Sequence, residues 1–82
     1  MKKTISNAIV NRINKYLGER EITAYELSLK SGIPYPTIKS IMQKRTKTID
    51  FKNVILLAYG LNISPSEFID DKSFYAENLD IL

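Results

Sequence analysis

Apolar residues recur at the spacing of an α-helix along almost the whole chain of 82 residues, and they predict five helices. The first is expected between about Ile5 and Leu17, because an apolar stripe there runs opposite a polar face. Gly18 is its expected stop, since glycine adopts the left-handed conformation after a helix at little cost. The stripe contains Ile5, Ile9, Val10, Ile13, Tyr16 and Leu17, and the polar face contains Asn7, Asn11, Arg12 and Lys15.

A capping box predicts the start of the second helix. The oxygen of Thr23 can accept from the amide of Glu26, and the Glu26 side chain can reach back to the Thr23 amide. The helix is expected to end before Gly32 and to turn Leu27 and the small Ser28 inward.

Pro34 and Pro36 surround the start of the third helix. Proline is tolerated in a first helical turn, but each proline keeps the residue before it out of the helical region. These effects favour a start at Pro36 over one at Pro34, with an end near Gln43. The predicted apolar face contains Ile38, Ile41 and Met42, and the outward face contains Thr37, Lys39, Ser40 and Gln43.

Two further helices complete the prediction. Asp50 can cap a fourth helix over residues 51–60. Residues 64–67, Ser-Pro-Ser-Glu, form a second capping box and predict a fifth helix from Pro65 to Ile69. No strict alternation of apolar and polar residues indicates a strand. The chain is therefore expected to be all-α and to form one domain.

Residues 24–43 place two short helices on either side of a tight glycine turn. Leu27, Ile33, Ile38 and Ile41 can meet in one small core, and Gly32 supplies the turn. Ser28 is small at the point where the two helices must approach closely. This spacing is the pattern of a helix-turn-helix.

Charge is unevenly distributed, although the net charge is only +3. Residues 30–52 carry six basic side chains against Asp50 alone, whereas residues 64–82 carry five acidic side chains against Lys72 alone. This asymmetry indicates a polyanion bound by the middle of the chain. A solvated surface of mixed sign would give the same distribution.

Composition excludes several classes of site. The chain contains neither cysteine nor histidine, so disulfides, thiolate metal sites and the commonest general base are absent. No glycine-rich phosphate loop and no nucleophile beside a base is recognisable, so we expect no enzyme activity, cofactor or metal. Polar residues interrupt the N-terminal segment, so neither a signal peptide nor a membrane span is expected, and a cytoplasmic location is predicted.

Two stretches, ITAYELSLKSGIPYPTIKSI and LLAYGLNISPSEFI, resemble the Cro/repressor helix-turn-helix family, also called the xenobiotic-response-element (XRE) family. The resemblance implies a five-helix, lambda-repressor-like bundle over residues 1–70, followed by a C-terminal tail over residues 71–82. It also implies a DNA-binding transcription regulator, most simply a repressor. The third helix would enter the major groove of double-stranded DNA, and the second would lie across its backbone.

Carried over by position, the resemblance implies two sets of contact residues. The base-reading set is Tyr35, Pro36, Thr37, Lys39 and Ser40. The phosphate set is Thr23, Ala24 and Tyr25 at the start of the second helix, and Lys44, Arg45, Thr46 and Lys47 in the loop after the third. Lys39 has the strongest physical case, because its ammonium can donate to the guanine edge.

Each of these roles has a plainer alternative. Lys39 and the basic loop could be solvated charges on exposed surface. Tyr35 could contact a thymine methyl or a phosphate, or be a half-buried surface tyrosine. Thr37 and Ser40 could contribute only ordinary helix-surface polarity. Two residues also depart from the family's pattern, since Ala24 stands where many members have a phosphate-binding glutamine and Pro34 where many have a capping serine or threonine.

The tail combines apolar and acidic residues and is open to two interpretations. It could cover its own bundle as a flap, or it could join two subunits of a homodimer. Dimers are expected because one helix-turn-helix reads only a few base pairs. No small-molecule ligand is expected. The alternative function is an antitoxin, in which the same fold binds a toxin protein as well as DNA.

Overall fold

The computed structural model describes residues 4–45 and 48–80. Over these residues the predicted all-α fold with five helices is confirmed. The elements are α1 (Ile5–Arg20), α2 (Ala24–Ser31), α3 (Tyr35–Met42), α4 (Phe51–Gly60) and α5 (Pro65–Phe68), followed by 3-10 turns at Lys72–Phe74 and Ala76–Asn78. Within the same ranges, no helix combines the length and apolar character that a membrane crossing requires.

One hydrophobic core joins all five helices, and α2 lies between α3 and α4. The four residues predicted to close the helix-turn-helix all belong to this core, and each is at most 3% exposed. The inner faces of α2 and α3 therefore pack against the core, and their outer faces are exposed to solvent. The four residues are Leu27, Ile33, Ile38 and Ile41.

The first helix runs past its predicted end. Gly18 lies inside α1, and the left-handed residue that closes the helix is Glu21, with φ of 53°. The Glu21 amide donates to the Gly18 carbonyl, and the Ile22 amide donates to the Leu17 carbonyl. This pair of bonds is a Schellman motif, and Leu17 and Ile22 both pack against the core. The end of α1 is therefore set by the Schellman motif and the packing of Leu17 and Ile22 against the core, and not by Gly18.

Arg12 was predicted on the solvent face of α1, and that prediction is wrong. The side chain is buried and only 5% exposed. Its Nε donates to the Phe68 carbonyl and its Nη2 to the Glu67 carbonyl, each at 2.7 Å. Nη2 also lies 3.2 Å from the Tyr16 hydroxyl, and Nη1 lies 3.7 Å from Asp71 Oδ1. Arg12 therefore satisfies the open carbonyls at the end of α5, which explains how a charged group is accommodated there.

Three local predictions about helix ends also need correction. α3 begins at Tyr35, one residue before Pro36, with Pro34 as its N-cap. Asp50 occupies the N-cap position of α4 but makes no side-chain capping bond. α5 ends at Phe68, so Ile69 is its C-cap and not its last residue.

The second capping box is only half formed. Ser64 Oγ accepts from the Glu67 amide at 3.1 Å, as predicted. The Glu67 carboxylate, however, accepts from the Tyr16 hydroxyl at 3.2 Å. The Tyr16 hydroxyl of α1 has replaced the local backbone partner, so both the side chain and the carbonyl of Glu67 bond to α1.

The tail lies on its own bundle as far as residue 80. Its first 3-10 turn packs against α1, where Phe74 is partly buried against the core. Leu79 is 8% exposed. Asp71 caps the first turn by accepting from the backbone and side chain of Ser73. The described part of the tail therefore contacts its own bundle through Phe74.

Candidate nucleic-acid interface

A complete capping box fixes the start of α2. Thr23 Oγ accepts from the Glu26 amide at 3.1 Å, and the Glu26 carboxylate accepts from the Thr23 amide at 3.2 Å. These bonds leave the amides of Ala24 and Tyr25 in the first turn, where amides have no intrahelical acceptor. The predicted anion-binding end of α2 therefore has the right polarity, with the helix dipole behind it.

The turn between α2 and α3 depends on one glycine and one serine. Gly32 closes α2 with φ of +79°, a conformation that side chains with a Cβ rarely adopt. Ser31 Oγ then accepts from the Ile33 amide at 3.2 Å. This buried bond directs the chain into α3 and seats Ile33 in the core.

The two faces of α3 have different surroundings. Ile38 and Ile41 are fully or almost fully buried, whereas Tyr35 is 38% exposed and Pro36 and Lys39 also face solvent. The outer face of α3 therefore presents an aromatic ring and an ammonium group to solvent, and we call this face the α3 ridge.

Thr37 and Ser40 are less outward than the sequence pattern predicted. Both are half-buried and line a cleft of about 210 Å³ between α3 and the start of α4. Asp50 and Asn53 form the opposite wall of that cleft. A group that enters this cleft is therefore close to Thr37, Ser40 and Asn53.

Tyr25, Tyr35 and Lys39 form one connected cluster. The rings of Tyr25 and Tyr35 meet edge to face, with centroids 5.4 Å apart and an interplanar angle of 83°. Lys39 Nζ lies 5.7 Å from the centroid of the Tyr35 ring, within the range of a cation–π interaction. The start of α2 and the outward face of α3 are thus linked through side chains in the free protein.

The remaining predicted phosphate residues lie in different environments. Thr23, Lys44 and Arg45 are exposed, and the last two follow α3 directly. Lys44 has a left-handed backbone, with φ of 58°. The Ala24 side chain packs against the core, so only its amide can face a ligand. Thr46 and Lys47 lie outside the described residues.

Two features of this surface had not been predicted. One is the contact of Tyr25 with Tyr35, and the other is the cleft that Asn53 and Ser40 line together. Each pair is separated by ten or more residues in sequence, so no local spacing could reveal it. The only available signal was aromatic or polar character at the first turn of a predicted helix.

The helix-turn-helix and the exposed outer face of its second helix are the features of a DNA-binding domain. A family model described as "Cro/C1-type HTH DNA-binding domain" matches residues 12–73. The match covers most of the chain, and the protein belongs to this family. Comparison with curated proteins and with solved structures finds no match.

Proposed function

We propose that the protein is a sequence-specific transcription regulator, a repressor that occupies an operator and blocks access to it. The observation that carries this proposal is the division of α3 between a buried face and an exposed face. Ile38 and Ile41 anchor the helix, while Tyr35 and Lys39 project from it. A helix presented in this way fits the major groove of B-form DNA.

Each residue of the α3 ridge has a distinct role in this proposal. Lys39 donates to the O6 or N7 acceptors of a guanine, less selectively than an arginine fork would. Tyr35 packs against a thymine methyl, and Pro36 adds apolar contact. Thr37 and Ser40 donate from the edge of the ridge to a base or a phosphate.

Phosphate contacts fix the register of the ridge in the groove. The amides of Ala24 and Tyr25 at the start of α2 receive one phosphate, assisted by the exposed hydroxyl of Thr23. Lys44 and Arg45 hold the backbone on the other side, and Thr46 and Lys47 extend this basic loop. These contacts position the protein without reading the sequence.

The protein acts as a homodimer in this proposal, because one ridge reads too few base pairs to define an operator. Two copies related by a two-fold axis would read half-sites one helical turn apart, and the operator would be an inverted repeat.

The proposal is tested by selecting bound sequences from a random pool of duplex DNA and then titrating binding against salt. We expect an inverted repeat to be recovered. Lys39→Ala should relax the sequence preference at one base pair and reduce the binding free energy of the preferred base there by about 1–3 kcal/mol. Arg45→Ala should weaken binding to all sequences alike and reduce the slope of log K against log salt concentration by about 1. Lys72→Ala removes the same charge from the tail and serves as the matched control.

A pool from which no sequence is enriched would contradict sequence-specific recognition, even if salt-dependent binding remained. If Lys39→Ala and Arg45→Ala both bound the selected duplex as tightly as Lys72→Ala, the DNA-binding surface would lie elsewhere on the molecule.

The antitoxin function remains the alternative. The apolar and acidic tail motivates this alternative, because a tail that orders only with a partner protein would favour an antitoxin. Because Phe74 and Leu79 pack on their own bundle, the described part of the tail gives this alternative no specific support. Co-purification with a toxin encoded beside this chain would favour it.

A further inference from the structure

An apolar surface and an ammonium group lie side by side on the α3 ridge. Tyr35 is 38% exposed, and the next residue, Pro36, is exposed as well. Lys39 follows Tyr35 by about one helical turn, and its Nζ lies 5.7 Å from the centroid of the Tyr35 ring. A group that contacts this part of the ridge therefore meets apolar atoms and a positive charge together.

Both side chains of this pair are held before any ligand binds. The Tyr25 ring meets the Tyr35 ring at an angle of 83°, with centroids 5.4 Å apart. Within residues 4–45 and 48–80, Lys39 forms no salt bridge with a carboxylate, so its ammonium is free to stay beside the Tyr35 ring. Part of the entropy cost of ordering these side chains on a ligand is therefore already met in the free protein.

The floor of the major groove offers a specific counterpart to each half of this surface. Its base edges present hydrogen-bond donors and acceptors, and the C5-methyl group of thymine is the apolar feature among them. A cytosine methylated at C5 carries the same group at the same ring position. The aromatic ring and the proline therefore favour a C5-methylated pyrimidine, and the ammonium favours the O6 and N7 acceptors of guanine.

The distance between the ring and the ammonium indicates how far apart the two bases are. Each base-pair step rises about 3.4 Å and turns about 36°, so groups on the groove floor lie about 5 Å apart on neighbouring base pairs. With one base pair between them, they lie about 9 Å apart. The 5.7 Å between Lys39 Nζ and the Tyr35 centroid fits the shorter distance.

We infer that the α3 ridge reads a C5-methylated pyrimidine and a guanine on neighbouring base pairs, an inference that rests on the proposed function. Tyr35 and Pro36 pack against the methyl group, and Lys39 donates to the guanine. Thymine and 5-methylcytosine both supply the methyl group, whereas unmodified cytosine lacks it. Methylation of a cytosine beside a guanine therefore strengthens binding at this position.

Base analogues placed in the duplex recovered from the random pool test this inference. Each thymine is replaced in turn by uracil, which lacks only the methyl group, and each guanine by 7-deazaguanine, which lacks the N7 acceptor. We expect one uracil position in each half-site to lower the affinity about fourfold, the effect of burying about one methyl group. The guanine position that is sensitive to 7-deazaguanine should lie on the neighbouring base pair.

Variants assign each effect to its side chain. Tyr35→Ala should bind the thymine and uracil duplexes with equal affinity, whereas Tyr35→Phe keeps the ring and should retain the fourfold difference. Lys39→Ala should lose its sensitivity to 7-deazaguanine and keep its preference for thymine over uracil. Circular dichroism confirms that each variant is folded.

The two sources of the methyl group are compared at the sensitive position. The thymine–adenine pair is replaced by a cytosine–guanine pair, with and without a methyl group at C5 of the cytosine. We expect the methylated duplex to bind about fourfold more tightly than the unmethylated one. Equal affinities would show that thymine is recognised through its O4 oxygen, and the inference would be wrong.

The remaining outcomes separate this inference from the proposed function. If uracil had no effect at any position, or if the two sensitive positions were not neighbours, the inference would be overturned while sequence-selective binding stands. Equal losses of affinity for all duplexes in Tyr35→Phe and Tyr35→Ala would identify a phosphate contact of the hydroxyl and would also overturn it. Absence of any sequence-selective binding would remove the proposed function first.

Discussion

Tyr25 and Tyr35 meet edge to face across the helix-turn-helix, with ring centroids 5.4 Å apart. Tyr25 belongs to the first turn of α2, and Tyr35 is the first residue of α3. Lys39 in turn lies over the Tyr35 ring. Residues proposed to contact phosphate and bases are therefore linked through their side chains before DNA arrives.

Loss of the Tyr25 ring should loosen the base-reading face of α3. Edge-to-face pairs contribute about 0.5–1.5 kcal/mol, so Tyr25→Ala should reduce discrimination between the selected duplex and single-base variants by about two- to tenfold. Non-specific affinity should change much less. Tyr25→Phe keeps the ring and is the control, measured by competition binding. Equal losses for Phe and Ala would assign the effect to the hydroxyl.

Replacement of Arg12 should destabilise the whole bundle. Arg12→Leu removes the donors that satisfy the Glu67 and Phe68 carbonyls, and we expect a loss of about 2–4 kcal/mol in urea unfolding. Arg12→Lys keeps the charge but not the planar fork, so it should recover only part of the loss. A leucine variant as stable as the natural protein would mean that water satisfies both carbonyls.

Two glycines should respond to alanine in opposite directions. A Cβ at Gly60 would lie 2.8 Å from Ser31 Cβ and 3.0 Å from Ser31 Cα, where α2 and α4 approach each other. Gly60→Ala should therefore cost about 1–3 kcal/mol. A Cβ at Gly18 would meet nothing within 4 Å, and alanine favours the helix interior by about 0.5–1 kcal/mol. Thermal unfolding of both variants measures these two changes in stability. An increase in the stability of Gly60→Ala would contradict the close packing of α2 against α4.

Acid should weaken the attachment of the tail. Hydrogen bonds from the side chain and backbone of Ser73, assisted by the positive charges of Arg12 and Lys15, lower the pKa of Asp71 below its ordinary value of 3.8. A carboxylate with a depressed pKa stabilises the fold fully above that ordinary value, and the contribution is lost as the pH falls below it.

The matched variant for this effect is Asp71→Asn. The difference in unfolding free energy between the natural protein and Asp71→Asn should be constant near neutral pH and shrink below about pH 4. Because Asp71 is partly exposed, the difference should be small. A difference that does not change down to pH 2 would show that Asp71 contributes through packing and not through its charge.

Local signals predicted most of the helices correctly. The Thr23 capping box and Gly32 depend on neighbouring residues, and both lie where the sequence places them. The core of the helix-turn-helix also followed from spacing, because Leu27 and Ile38 are apolar at positions that must face inward.

The incorrect predictions for Arg12 and Glu67 share a physical cause, which is a partner distant in sequence. Arg12 and Glu67 look like surface residues on their own helices, but each bonds to a group more than fifty residues away. Packing likewise brings Asn53 and Ser40 to the same cleft. The exposure of Lys39 on α3 could be inferred from the sequence, whereas the half-buried positions of Thr37 and Ser40 required the arrangement of α3 and α4.

The separation of inward and outward positions on α3 has a consequence for how such a protein changes over time. Stability depends on Ile38 and Ile41, while the surface offered to a ligand depends on Tyr35, Pro36 and Lys39. Substitutions in the second group leave the buried contacts of Ile38 and Ile41 in place. New recognition properties are therefore expected to be accessible by small steps, through selection or through engineering, without loss of the core.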